Sequence, residues 1–394
     1  MTFTDRQARL TILSLALGAF AIGVTEFAAM GLLPYYAADL GVSEPAAGYA
    51  VSGYAIGVVV GAPVLAVLGS MLPRKLLLIL LMAFFMIANV GTALAPELDT
   101  LVIARVLGGL PHGAFLGIGM LFAAEMMPEG RKAAGVAQVL MGLTVANVIG
   151  VPAAGFIGQT IGWRWCFAAV AVLAAASALM IARVAPQPEE GHNTNPLREL
   201  SALANRAIWL TLAVGAIGFG AVFAVYSYFS AALISAAEAP SWAIPLGLSG
   251  FGVGATLGNY YAGMLANWSR LGGALVLLIG MVVTSLVYSA VMGEWVAMSL
   301  VVMVLGMTAG LVIPLQMRLM DVGGDGQTLA AALNHAAFNA ANALGPWLAG
   351  IGLAAGYGWS VTGYVGAGLA AAGIVVLGLA WLDARPRGRV VPAE

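Results

Sequence analysis

Apolar runs of twenty or more residues, separated by short polar or charged clusters, fill this chain from end to end. A helix that crosses a bilayer needs about 20 mainly apolar residues, and twelve stretches reach that length. The first six are predicted near 11–34, 46–69, 76–95, 99–124, 133–158 and 164–184. The second six are predicted near 207–233, 242–266, 272–292, 296–317, 327–353 and 359–381. The pattern predicts an all-α membrane protein with 12 transmembrane helices. The one sizeable polar stretch, 185–206, begins Ala-Pro-Gln-Pro-Glu-Glu-Gly and reads as a cytoplasmic linker, with a short interfacial helix from Leu197 to Arg206. It divides the chain into a six-helix bundle over 1–184 and a second over 207–394.

Composition agrees with this pattern. Hydrophobic residues make up 61% of the chain and charged residues 8%, against roughly 25% charged in soluble domains. A soluble core of this composition would lack the polar surface to cover it. The single Cys166 excludes an intrachain disulfide. The first apolar run is too long for a cleavable signal and is followed by further spans, so it is expected to insert as an uncleaved anchor. The charges are segregated. Arg6, Arg9, Arg74, Lys75, Arg131, Lys132, Arg183, Arg198, Arg206, Arg270, Arg318, Arg385, Arg387 and Arg389 fall at one side of the alternation, while Arg164 alone falls in an opposite loop; the opposite loops carry Asp39, Glu44, Glu97, Asp99, Glu238 and Glu294. The positive-inside rule places both termini in the cytoplasm of a cell whose plasma or inner membrane holds the protein.

The two halves repeat each other. Asn147-Val-Ile-Gly150-Val-Pro152, followed by Gly162-Trp163, matches Asn342-Ala-Leu-Gly345-Pro346, followed by Gly358-Trp359; Gly69 and Arg74 match Gly263 and Arg270. Internal repeats of this kind build transporters whose two bundles rock about a central cavity.

Against that background, ionisable groups inside the spans stand out, because burying charge in a bilayer is unfavourable and such groups default to function. Glu26 lies inside the first span and Arg105 inside the fourth. At 1.5 Å per residue their depths differ by only a few ångströms. An arginine can hold a nearby carboxylate ionised while desolvation favours its neutral form, so a balanced site can take and release a proton. The bland alternative is a static ion pair locking the two helices. His112 follows Arg105 by seven residues on nearly the same face, as a second proton carrier or a satisfied buried histidine. Arg105, Gly109, Gly113 and Gly117 recur every four residues and predict a smooth stripe for close helix approach.

In span five Asn147, Gly150, Pro152 and Gly155 predict either a bending element or a tightly packed helix. The second half has no acid well inside a span. It offers Tyr226, Tyr228, Asn259, Gln316, and the one-face series His335, Asn339 and Asn342 as cavity lining or as helix–helix glue. Neutral polar groups among aromatics suit a neutral or weakly polar solute. Enzyme readings are excluded. Gly247-Leu-Ser249-Gly250 resembles an intramembrane serine protease motif, but twelve spans in two halves do not fit that fold. No phosphate-binding loop or zinc motif occurs, and three scattered histidines form no metal site.

These stretches resemble the major facilitator superfamily, specifically its twelve-span drug:proton antiporter branch, near the arabinose-efflux-permease-like and amphenicol-efflux group. The resemblance rests on Thr25-Glu26-Phe27 with Gly31-Leu-Leu-Pro34, on Ala104-Arg105 through His112-Gly-Ala-Phe, on Thr144 through Pro152 with Gly162-Trp-Arg164, and on Asn342 through Trp347. It implies an inner-membrane exporter that exchanges a small organic solute for protons, with Glu26 in coupling, Arg105 in gating or proton relay, and Gly150, Pro152 and Gly155 as the helix-five antiporter pattern. The inner gate loop, Gly69 to Arg74 and Lys75, departs from the family pattern, with Pro73 where Asp is usual. The expected partners are a small solute, protons and lipid, with no nucleic acid, no metal and no cofactor beyond the proton gradient, in a monomer. Proton-coupled uptake of a sugar or nucleoside is the second reading, and a non-transporting receptor or scaffold the third.

Overall fold

The computed structural model describes residues 4–69, 72–128, 132–186, 203–324 and 327–384, and these contain helices and no strand. The first half comprises α1 (Asp5–Gly31), α2 (Leu33–Asp39), α3 (Glu44–Ala47), α4 (Tyr49–Gly69), α5 (Arg74–Leu94), α6 (Leu98–Glu125), α7 (Lys132–Val145), α8 (Val151–Thr160) and α9 (Trp163–Val184). The second half comprises α10 (Arg206–Gly218), α11 (Gly220–Ser235), α12 (Ala243–Trp268), α13 (Arg270–Ala290), α14 (Trp295–Thr308), α15 (Val312–Val322), α16 (Gln327–Ala354) and α17 (Val361–Ala384). Ten helical segments among the described residues are long and apolar enough to cross a membrane. The two other long helices, α12 and α16, have 26 and 28 residues and are diluted by glycine, asparagine or histidine. Together they occupy the twelve predicted positions. Most of the expected linker and interfacial helix lies outside the described residues.

Four spans are not single α-helices. Span two breaks at Gly48 between α3 and α4. Pro152 has no N–H to donate back along span five. There the chain makes a π turn, Ala146–Gly150, and Val151 N–H reaches the carbonyl of Ala146, five residues back. Span seven breaks at Phe219 between Gly218 and Gly220, and span ten passes through a 3-10 turn, Ala309–Leu311. Such local changes of winding are common at functional positions in helices.

Glycine sets the tightest crossings. A Cβ on Gly57 or Gly61 would lie 2.1 or 2.2 Å from the carbonyl oxygens of Val106 and Leu110, and one on Gly109 would lie 2.1 Å from that of Tyr54. Helices α4 and α6 therefore touch backbone to backbone. The second half repeats the arrangement: Gly254 and Gly258 of α12 sit equally close to the carbonyls of Met303 and Met307 in α14. The expected stripe on α6 is shorter than its spacing suggested. Gly109 and Gly113 meet α4, but a Cβ on Gly117 would have nothing within 4 Å.

Charge pairs close each end. At the end holding the start of α1, Arg74 pairs with Glu125, and Arg270 pairs with Asp321; both pairs join residues 51 apart and so repeat one another across the halves. Lys75 Nζ donates to the carbonyl of Ala185 at 2.6 Å. Arg74 is thus engaged even though Pro73 replaces the usual acid. At the far end Arg164 pairs with Asp39 and donates to the carbonyl of Ala95, stacking at 4.3 Å over Trp163, whose Nε1 also donates to Asp39. This ties the ends of spans one, three and six and accounts for the isolated arginine on that side. The hydrogen bonds from Arg164, then from Trp163, hold the Asp39 carboxyl below its ordinary 3.8.

Two outcomes follow. Gly109→Val should destabilise the fold by about 2–3 kcal/mol through overpacking, whereas Gly117→Ala should leave thermal unfolding in detergent unchanged. Equal loss in both would contradict the crossing described. For Asp39 the folded value is depressed, so its contribution is present above 3.8 and fades as pH falls through the lower folded value. Asp39→Asn should therefore unfold at a lower temperature than the parent at pH 7, with the gap closing in acid. A gap independent of pH would point to packing instead.

Candidate functional site

Glu26 sits on the face of α1 turned toward α16, and it is 7% exposed. Its Oε1 accepts from Asn342 Nδ2 at 3.2 Å. A side chain from the second half thereby reaches the acid of the first. The same stripe of α16 packs on the start of α11 and so seats Asn342 at the seam between the halves: Phe338 meets Phe219 edge-on at 4.6 Å, and Gly345 lies against the carbonyl of Gly220. One residue on, the carbonyl of Ala343 accepts from Ser52 Oγ at 3.1 Å, pinning α16 to α4.

Arg105 is 2% exposed. Its Nη1 donates to Thr25 Oγ1 at 3.1 Å and its Nε to the carbonyl of Ala50 at 3.4 Å, and its guanidinium lies 4.2 Å over the Tyr54 ring and 5.4 Å from that of Phe167. Thr25 in turn donates to Asn89 Oδ1 at 2.7 Å, and Asn89 Nδ2 to its own-helix carbonyl at Phe85. Arg105 and Glu26 feel each other's charge but form no ion pair. The static-lock reading of the two is therefore not what the structure shows. The Arg105 charge is spread over a hydroxyl, a carbonyl and two rings, which leaves its Nη2 buried without a partner.

The Tyr54 hydroxyl lies 3.0 Å from His112 Nδ1. His112 is buried and close enough to His335 for the two to interact electrostatically. Thr25, Asn89 and Tyr54 complete a cluster whose ionisable members alone were legible in the sequence. A neutral polar residue within an apolar run carries no signal of its own. Tyr54 could have been found only from the α4–α6 glycine spacing, which brings its turn onto Arg105.

The remaining candidates divide. Asn339 is buried one turn from Asn342, its Nδ2 donating to the carbonyl of His335 at 3.0 Å and its Oδ1 unpartnered. Tyr226 stacks on Phe251 at 4.1 Å. Tyr228 donates to the carbonyl of Pro346 at 3.1 Å, and its hydroxyl is cradled by Gly48 and Gly350, where a Cβ would come within 2.4 and 2.7 Å. It plugs the seam between the halves toward the far end. Asn147 bonds its own helix at Leu143 and presents its carbonyl to Gly252 of α12. Gly150 lies under Val24 and Phe20, next to Pro152 at the π turn, while Gly155 makes ordinary contact with Leu248. Gln316 accepts from Asn334 at 2.6 Å, a partner not expected from the sequence. Asn259 is on an exposed face of α12 and joins no cluster. Gly69 ends α4. Ser249 donates to the carbonyl of Pro245 in its own helix, as an ordinary helical serine does. A cavity of about 540 Å³ opens between α1 and α7, lined by Leu13, Leu17, Phe20, Met141 and Val145 among others. None of the candidate residues lines it; its walls are mostly apolar, with Arg9 and Gln138 the polar residues among them.

Known proteins share this sequence and fold. The profile of the Major Facilitator Superfamily matches residues 15–323. The chain is 40% identical over 383 residues to the inner membrane transport protein YdhP of Escherichia coli strain K12, covering 96% of this chain and 97% of that one. It is 33% identical over 257 residues to a chloramphenicol resistance protein of Streptomyces lividans, covering 64% and 66%, and 27% identical over 340 residues to a probable sugar efflux transporter of Helicobacter pylori strain G27, covering 85% and 86%. Among solved structures it superposes on an inward-facing bacterial homologue of the human lysosomal transporter Spinster with a TM-score of 0.70 at 15% identity, covering 96% of both chains. On the nucleoside transporter NupG the TM-score is 0.72 at 14% identity, covering 96% of this chain and all of that one. The family profile, the full-length relative and the superposed folds agree, and the chain belongs to the Major Facilitator Superfamily of multi-pass membrane transporters.

Proposed function

We propose that this transporter is a proton-coupled exporter that exchanges a small organic solute for protons, using the gradient as its only energy source. The carrying observation is Glu26: an acid 7% exposed, unpaired by Arg105, and hydrogen-bonded to Asn342 of the other half. A proton on this group alters a hydrogen bond that joins the two halves. The chloramphenicol resistance protein and the sugar efflux transporter among the relatives support export of an uncharged drug or sugar.

The distribution of Arg and Lys supports placing the end that holds the start of α1 in the cytoplasm. The named contacts between halves run from the middle of the bundle to the far end: Glu26–Asn342, Ser52–Ala343, Tyr228 between Gly48 and Gly350, and Gln159 Nε2 to the carbonyl of Ser241. This conformation then faces inward. Solute enters from the cytoplasm as Glu26 releases its proton inward, and reopening to the outside lets Glu26 take a proton as solute leaves. Arg105 keeps the acid within a positive field while leaving its oxygens free.

Purified protein in liposomes with an imposed pH gradient tests this, with chloramphenicol and a panel of sugars as probes. Wild-type protein should move a probe against its gradient, and Glu26→Gln should fall to the level of empty liposomes for gradient-driven pumping. Pumping at the wild-type rate in Glu26→Gln would remove Glu26 from the mechanism, and movement of solute in the same direction as protons would reverse the assigned direction.

A further inference from the structure

The amide of Asn342 has two unlike edges, and the structure occupies only one. Its Nδ2 donates to Glu26 Oε1 at 3.2 Å, while its Oδ1 is buried with no partner, in a residue 1% exposed. An ionised carboxylate is an acceptor only. With Glu26 ionised, Asn342 must turn its NH₂ edge to the acid and its oxygen to the other side. A protonated Glu26 carries an O–H that needs an acceptor, and the same amide meets it by a half turn about its last torsion, which is broad and roughly two-fold for asparagine. The two edges then exchange places.

We infer that the Asn342 amide is the element that couples proton to solute, turning over as Glu26 gains or loses its proton and so presenting an acceptor to the solute in one state and a donor in the other. This rests on the proton-coupling reading of Glu26 and adds the device by which that proton is felt. With Glu26 ionised, the Asn342 Oδ1 and the Asn339 Oδ1 are two buried acceptors without partners, about one turn apart on α16. They suit an uncharged solute bearing O–H or N–H donors, such as an alcohol, a polyol or an amide. With Glu26 protonated, Asn342 offers N–H instead, and donor faces donor. Proton and solute then oppose each other through a single side chain, as antiport requires.

The backbone of α16 is held beside Asn342 by Ser52 on Ala343, so the side chain can rotate without moving the helix. Asn339 is fixed differently, since its Nδ2 is held by the carbonyl of His335 whatever the state of Glu26. It stays an acceptor and serves as the constant half of the pair. The titratable groups acting on Glu26 are Arg105 from α6 and Tyr54 from α4. The helices α6, α7, α9, α11 and α12 also meet α1 through Phe115, Leu143, Ala146, Ser177, Phe223 and Leu248, none of which titrates. Among the described residues, Asn342 is the group hydrogen-bonded to the Glu26 carboxyl.

Infrared difference spectra between acid and alkaline pH, on full-length protein in lipid, test the inference. Wild type should show a carboxylic-acid band that is lost in Glu26→Gln, and an asparagine side-chain amide band, lost in Asn342→Leu, that shifts with the same midpoint. In Asn342→Leu the Glu26 acid band should move to the position of an acid lacking a hydrogen-bond acceptor. If that variant does not fold, isotopically labelled asparagine in wild-type protein reports the same amide shift. An Asn342 band that does not move with the proton overturns the coupling role of Asn342 while leaving Glu26 in place. An acid band that survives in Glu26→Gln overturns the proton-coupling reading itself.

Discussion

A guanidinium in a membrane interior has to find its hydrogen bonds and its counter-field among the groups packed around it. Arg105 finds them in neutral partners: the Thr25 hydroxyl, the Ala50 carbonyl and the Tyr54 ring. A direct pair with Glu26 would have fixed both charges, since breaking a buried ion pair leaves an uncompensated charge that typically costs about 3–5 kcal/mol. Satisfying the arginine elsewhere avoids that lock. Glu26 lies in a positive field without a cation on its oxygens, and its bonded neighbour is an amide that can serve either protonation state.

The rest of the first half serves this arrangement. Thr25 can accept from Arg105 because its own hydroxyl hydrogen is donated to Asn89 Oδ1, and Asn89 is oriented to accept it because its amide Nδ2 donates to the carbonyl of Phe85. Tyr54 and Ala50 reach Arg105 because glycines at 57, 61 and 109 let α4 and α6 meet at backbone distance. A side chain at any of these positions would move the carbonyl and the ring away together. The second half uses the same crossing between α12 and α14 without placing a charge in it, so the repeat conserves the frame and confines the ionisable chemistry to one side. Asn342 is the point where the plain half touches the charged one.

The spans, the repeat and the ionisable pair were legible in the sequence, because each is written in strong physical signals: long apolar runs, recurring Asn-Gly-Pro order, and charges where a bilayer disfavours them. The partners of those charges were not. Thr25 and Asn89 look like ordinary polar residues in helices, and which way each faces depends on how neighbouring helices rotate. Gly117 continued the spacing, but a Cβ there would have nothing within 4 Å, whereas Gly109 and Gly113 meet α4. The π turn at Ala146–Gly150 arises from Pro152 together with the packing of Gly150 under Val24, which no local preference encodes. On α16, spacing placed His335, Asn339 and Asn342 on one face, but only packing shows that Asn342 alone reaches Glu26, and that Asn334 turns away to Gln316.

The central claim is that one carboxyl carries the proton, and proton movement itself tests it most directly. A chloramphenicol or sugar gradient imposed across liposomes holding the protein, with a pH-sensitive dye trapped inside, should drive protons in the direction opposite to the solute in wild type. The account predicts solute movement without any dye response once Glu26 is replaced by glutamine. A dye response that persists at the wild-type rate in that variant would contradict it.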